Sequence, residues 1–215
     1  MEKEDTMIDD FMKANNWHVA DRLILPSRKG RYFPFDDLQL SPESVNFLKS
    51  SFSSGIYGHQ KEAIKLSLEG ENFCITTGTA SGKSLPFYVA AMEKLVADPK
   101  ARVIVVYPLK ALGREQEERW ISSLQRAGID ARVGRIDGQT PMHLRMDIMR
   151  NSRVLIMTPD IIHAWLLFHV SDKAVMCFLY KTKLIIVDEV HYYTGVFGSN
   201  AAFLFRRLRH VLQMM

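Results

Sequence analysis

Apolar residues are spaced in two ways along most of the chain. Short uninterrupted runs rich in Val, Ile or Leu occupy 72–76, 102–107, 131–136, 153–157 and 183–188. Between them, at 59–69, 83–97, 110–127, 141–150, 159–168 and 198–213, apolar side chains return at helical spacing. A strand that is apolar on both faces is buried between layers. Such strands alternating with amphipathic helices therefore predict an α/β fold, a parallel sheet covered on both sides, over 45–215. Residues 1–44 keep no sustained period, and Pro26, Gly30, Pro34 and Pro42 stand among charged residues. They are expected to form an irregular extension with one short helix near 7–15.

Composition changes this picture little. The 215 residues are 47% hydrophobic and 24% charged, ordinary for a globular domain. Charge is uneven: residues 1–10 hold five acids and one lysine, leaving 27 basic and 19 acidic side chains in the rest. That excess is compatible with a nucleic-acid face without requiring one. The cysteines, Cys74 and Cys177, sit in apolar runs and are expected as buried thiols. With no C-x-x-C pair, neither a zinc site nor a disulfide framework is indicated. The acidic start is the opposite of a signal peptide's basic one. The most apolar run, "IIHAWLLFHV", is far shorter than the roughly 20 residues that span a bilayer. The expectation is a cytoplasmic protein with no membrane contact.

Chemistry concentrates in two places. Thr77, Gly78, Thr79, Ala80, Ser81, Gly82, Lys83 and Ser84 make "TGTASGKS", between a predicted strand and a predicted helix. Such a loop wraps backbone N–H groups around phosphate oxygens, helped by the positive end of the following helix. Gly82 permits close approach, Lys83 reaches the β- and γ-phosphates of ATP, and Ser84 ligates Mg²⁺. Taken alone the match is loose, because Thr77 stands where the usual pattern has glycine. The second place is "KLIIVDEVH" (183–191), an apolar strand ending in adjacent acids and a histidine. Asp188 is placed to hold Mg²⁺ through its water shell, and Glu189 to orient or deprotonate the attacking water. Packing does not call for two acids at the end of a buried strand. The loop and the acid pair together read as a nucleotide site.

In order, Gln60, "TGTASGKS", "VYPLKAL", "DGQTP", "MTPD" and "DEVH" resemble the first motor domain of superfamily 2 helicases of the DEAD/DEAH-box type. That superfamily commonly has a small non-glycine residue at the position of Thr77. Within it, "IYGHQKEAI" and "DEVHYYTGVFGSNAAFLFRRLR" look like the bacterial mitomycin-repair (MrfA/YprA-like) helicases and their fungal RecQ-like relatives. The resemblance covers about 45–213. It implies a RecA-like P-loop domain with a doubly wound, mainly parallel sheet. It also implies that Gln60 hydrogen-bonds the adenine edge, and that His191 couples the nucleotide site to the nucleic-acid site and to a second motor domain. Tyr57 is either a base-stacking ring or a core aromatic.

The same resemblance assigns strand-gripping roles to loops at the carboxyl ends of the strands. Pro108 and Lys110 in "YPLKAL", Gly138 and Thr140 in "DGQTP", and Thr158 and Pro159 in "TPD" would contact phosphates without reading sequence. Leu109 departs from the family, which often has threonine there. Tyr192 and Tyr193, in an aromatic loop after the acid pair, are candidates to stack on a nucleobase, with Phe197 between that role and packing. The basic "RRLRH" (206–210) is expected on the solvent face of a helix whose stripe is Phe203, Leu204, Leu208, Val211 and Leu212. Methionine-rich 145–153 is expected in the core. No Ser/Thr-Ala-Thr motif follows the acid pair, so the chain reads as half of a motor. The expectation is the ATP-binding half of a DNA helicase or translocase in repair. Its partners would be single-stranded DNA and a second RecA-like domain. An ATPase switch acting on a protein, or an RNA helicase domain, are the alternatives.

Overall fold

The computed structural model describes residues 10–18, 30–52, 54–78 and 81–215, without the side chains of 110–112. It comprises two compact units, Met1–Arg31 and Tyr32–Met215. In the first, a helical stretch covers 10–14, within the short helix expected from sequence; residues 7–9 lie outside the described ones. Phe11 meets Trp17 edge-on there, 5.9 Å between ring centroids.

The second unit begins a dozen residues before the boundary expected at 45. Its first strand, β1 (Tyr32–Phe33), pairs antiparallel with β2 (Ile56–Tyr57), with Tyr32 opposite Tyr57. Helix α1 (Pro42–Ser51) lies between them. Its cap is legible in sequence: the Ser41 hydroxyl accepts from Ser44 N–H at 3.3 Å, and Pro42 opens the helix. Next come α2 (Gly58–Leu68), α3 (Ser84–Ala97), β3 (Arg102–Val106), α4 (Lys110–Ala127) and β4 (Val133–Ile136). After these follow α5 (Met142–Asn151), β5 (Val154–Met157) and α6 (Pro159–Ile161), which continues as a π turn over Ile162–Leu166. The last elements are α7 (Lys173–Tyr180), β6 (Thr182–Val187), a 3₁₀ turn Val190–Tyr192 and α8 (Gly195–Gln213).

Four strands form one parallel sheet in the order β4–β5–β3–β6. Because strand side chains alternate, each strand supplies both layers. Val103, Val105, Val154 and Ile156 pack against Leu48, Ile64, Val89, Met92 and Trp120 from α1 to α4. Ile104, Val106, Leu155 and Met157 pack against Met149, Trp165, Phe178, Leu204 and Leu208 from the later helices. At the amino end of the sheet, two arginines bind helix C-terminal carbonyls. Arg153 Nη2 donates to Leu95 O (2.6 Å) and Asp98 O (2.9 Å), and Arg102 Nη1 donates to Ser152 O (2.7 Å). Helix carbonyls without intrahelical partners are thereby satisfied by positive charge.

Several expectations need correcting. Residues 71–78 form no strand; Phe73, Ile75 and Thr77 are half-buried there, with Cys74 exposed between them. An apolar run closes no ladder without a neighbour, and β6 is hydrogen-bonded to β3 alone. The open edge of β6 and the 71–77 stretch instead border one cavity of about 790 Å³, under Phe87 and Ala90 of α3. Cys177 is exposed too, on the outer side of α7, so neither cysteine is a buried thiol. Helix α7 was hidden because "KAVMCFLY" is nearly uniformly apolar; its cap Asp172, accepting from Ala174 N–H at 2.8 Å, was the available signal. Phe203 faces solvent, 65% exposed, and is not part of the α8 stripe. The methionines in 145–153 do lie in the core as expected, Met149 fully buried and Met146 packed against the same cluster.

Candidate nucleotide site and strand-gripping loops

The phosphate loop is tied at several points. Lys83 caps α3, and its Nζ donates to Thr77 O at 3.2 Å. The hydroxyls of Thr77 and Ser81 lie 2.6 Å apart, so the residue in the glycine position closes the loop through its side chain. Gly82 has φ +72°, and a Cβ there would stand 2.4 Å from Gln60 Nε2. The positive φ favours glycine, and a Cβ would also push on the Gln60 amide that clasps the loop. Gln60 is buried; Oε1 accepts from Tyr57 N–H and Nε2 donates to Gly82 O, each at 2.8 Å. His59 Nε2 donates to Ser81 O at 3.1 Å. Thus α2 clasps the loop from outside through two consecutive side chains. Gly78 has open space around it, while Thr79 and Ala80 lie outside the described residues.

The acid pair follows β6 directly. Asp188 N–H donates to Val106 O at 3.0 Å, extending the β3 ladder by one bond, and Asp188 Oδ1 accepts from Glu189 N–H at 2.8 Å. Burial pushes the Asp188 carboxyl above its usual range and the neighbouring Glu189 charge adds to this, while the Glu189 amide, Lys83 and His191 oppose it. Glu189 adopts φ +53°, a left-handed conformation uncommon outside glycine. That turn brings Glu189 Oε2 to 3.2 Å from His191 Nδ1. Thr77, Lys83, Asp188, Glu189 and His191 all line the 790 Å³ cavity. Ser84 borders a neighbouring cavity with Gly82 and Tyr88. The donor set fits Mg-ATP: an ammonium beside a glycine that admits phosphate, and hard hydroxyl and carboxylate oxygens.

The aromatic neighbourhood differs from expectation. Tyr57 is already stacked with Tyr32 (4.9 Å) and with His59 (5.8 Å), and Tyr32 is the more exposed ring. Sequence reading missed Tyr32 and His59; Tyr32 is 28 residues from Gln60, and only the β1–β2 pairing brings it close. Tyr193 is a packing residue, stacked on Phe197 (5.4 Å) and edge-on to Phe205 (5.8 Å). Its hydroxyl is buried without a partner, and burial raises it to about 12. Those contacts engage the ring expected to stack on a nucleobase. Tyr192, 45% exposed, remains presented to solvent beside His191.

Three loops cluster at the carboxyl ends of adjacent strands. Pro108 and Leu109 follow β3, and Lys110 opens α4, its side chain outside the described residues. After β4, Gly138 is exposed in a turn that Thr140 closes: Thr140 Oγ1 accepts from Asp137 N–H at 3.0 Å. The Thr140 hydroxyl thus shapes the turn. After β5, Pro159 is buried at the first position of α6, and the Thr158 hydroxyl is buried without a partner. That hydroxyl, expected to contact phosphate, is free of any competing hydrogen bond. Arg206, Arg207, Arg209 and His210 are exposed on α8, as their spacing predicted.

A parallel sheet whose strand ends bring together a glycine-bearing phosphate loop and an adjacent acid pair defines a nucleotide-binding α/β domain. The chain belongs to the DEAD/DEAH box helicase family, whose model matches residues 57–215. It is 37% identical over 191 residues to the ATP-dependent helicase HRQ1 of Saccharomyces cerevisiae, covering 86% of this chain and 17% of that protein. It is 32% identical to the uncharacterized ATP-dependent helicase YprA of Bacillus subtilis, covering 91% and 25%. Among solved structures, the DUF1998 helicase MrfA bound to DNA and AMPPNP is similar, with TM-score 0.80 and 27% identity over 87% of this chain and 26% of that one. The fold is that of RecA-like helicase domains. The chain spans between 17% and 26% of these proteins.

Proposed function

We propose that this chain is the ATP-binding motor domain of a DNA helicase or translocase acting in repair. The observation that carries the reading is the single cavity in which Lys83 of the phosphate loop meets Asp188 and Glu189 at the end of β6. Lys83 offsets the β- and γ-phosphate charge, Ser84 and Asp188 hold Mg²⁺, and Glu189 orients or deprotonates the attacking water. Gln60 takes the adenine edge once its amide leaves the Gly82 carbonyl. His191, bonded to Glu189, passes the state of the site to a second RecA-like domain. Single-stranded DNA is the partner, held by backbone amides of the loops after β3, β4 and β5. Among the described residues lining the cavity there is no arginine. An arginine supplied across the cleft contributes roughly 10³–10⁵-fold in such reactions, so the second domain provides it.

The test combines nucleotide binding and turnover. Lys83→Ala is expected to abolish ATP binding by a fluorescent ATP analogue, and undiminished affinity overturns the site. Glu189→Gln keeps binding and stops turnover in a protein carrying both motor domains. There, stimulation of wild-type ATPase by single-stranded DNA supports the DNA reading; stimulation by RNA alone, or by neither, replaces it with an RNA motor or a protein-directed switch.

A further inference from the structure

Arg135 stands out on strand β4. It shares the face of Val133, which packs into the core against α4, so period two calls for an apolar residue there. A half-buried guanidinium at such a position is costly unless paired. Arg135 is paired twice. Nη1 donates to Asp137 Oδ2 in the turn after β4, and Nε donates to Glu117 Oε2 on α4 at 3.0 Å. Asp137 is itself buried, and its other oxygen accepts from Gln139 N–H at 2.8 Å, inside the turn. The arginine therefore ties the 137–140 turn to the body of α4, of which Glu117 is the eighth residue.

A second observation supports a built connection. Gly113 lies in the first turn of α4, where glycine disfavours the helix. A Cβ there would stand 3.2 Å from Arg135 Cδ, so the glycine leaves room for the arginine stem. These groups, with Tyr107, Leu109 and the unpartnered Thr158 hydroxyl, border a small void of about 10 Å³ among the three loops.

We propose that Arg135 is a positioning residue for single-stranded nucleic acid. Through Asp137 and Glu117 it fixes the spacing between the amides of the 137–140 turn and the amino end of α4, so that both meet successive phosphates of one strand. This rests on the nucleic-acid reading of the loops given above. Nε and Nη1 are held by carboxylates, and the role assigned to Arg135 is to hold the loops; a direct phosphate contact through Nη2 is the rival that the salt slope tests.

The test is fluorescence anisotropy of labelled oligothymidine with the full chain across a salt series. Arg135→Gln is expected to weaken binding on the order of tenfold, with the slope of log affinity against log salt unchanged and ATP-analogue binding retained. A slope shallower by about 0.7 would make Arg135 a direct phosphate contact and overturn the positioning role. Equal affinity in variant and wild type overturns it as well, leaving the DNA reading intact. No binding by the wild type at low salt removes both. Should Arg135→Gln fail to fold, Glu117→Gln carries the test: a loss at constant slope supports the proposal and unchanged affinity overturns it.

Discussion

Individual side chains at the nucleotide site were largely legible because their chemistry is specific. Lys83 borders one cavity with Asp188, Glu189 and His191, which follow it by more than a hundred residues, as their types and spacing implied. What sequence could not give was orientation. Thr140 and Thr158 each carry a hydroxyl suited to phosphate, yet one closes a turn and the other is buried without a partner. Tyr193 is the sharpest case. Its ring packs on Phe197 and Phe205 while its hydroxyl is buried without a partner. Removing an unsatisfied buried hydroxyl while keeping the ring relieves a desolvation cost, so Tyr193→Phe is expected to be neutral or to stabilise by about 1 kcal/mol in urea unfolding at neutral pH. The fold favours the neutral phenol, raising it from 10.0 to about 12. Ionisation of this phenol therefore leaves stability untouched below pH 10 and lowers it progressively as pH climbs from 10 towards 12. The variant should lose less stability than wild type across that interval.

Secondary elements were read well where pattern and neighbours agree. Strands β3, β4, β5 and β6 and helices α2 to α5 fall within a few residues of their predicted spans. The failure at 72–76 is physical: apolar content marks a segment that can be buried, but a parallel strand also needs an adjacent edge to bond with. Helix ends at the bottom of the sheet depend on residues that periodicity does not reveal. Arg153 reaches the carbonyls of Leu95 and Asp98 from 55 or more residues away. Arg153→Met keeps much of the stem but leaves those carbonyls short of a charged donor. It is expected to cost about 1–3 kcal/mol by urea unfolding, with ATP-analogue affinity unchanged because the site lies at the other end of the strands.

At the scale of the molecule, two apolar layers clasp a sheet with two edge strands, β4 and β6, and along β6 the border is open to a cavity. That opening has a consequence for handling the protein in solution. A strand reading "TKLIIV", with free amides and carbonyls on one side, is a template onto which another chain can add. Lys183 is exposed and is the one charge within the strand, a gatekeeper that makes stacking of identical edges repulsive. Lys183→Val would remove that repulsion and lengthen the β-branched run. At matched concentration, light scattering and thioflavin fluorescence should rise well above wild type, whereas Lys181→Val, just outside the ladder, should change little. Equal behaviour of the two variants would remove the gatekeeper role. Colloidal behaviour, on this reading, hangs on a single ammonium group at an unfinished border.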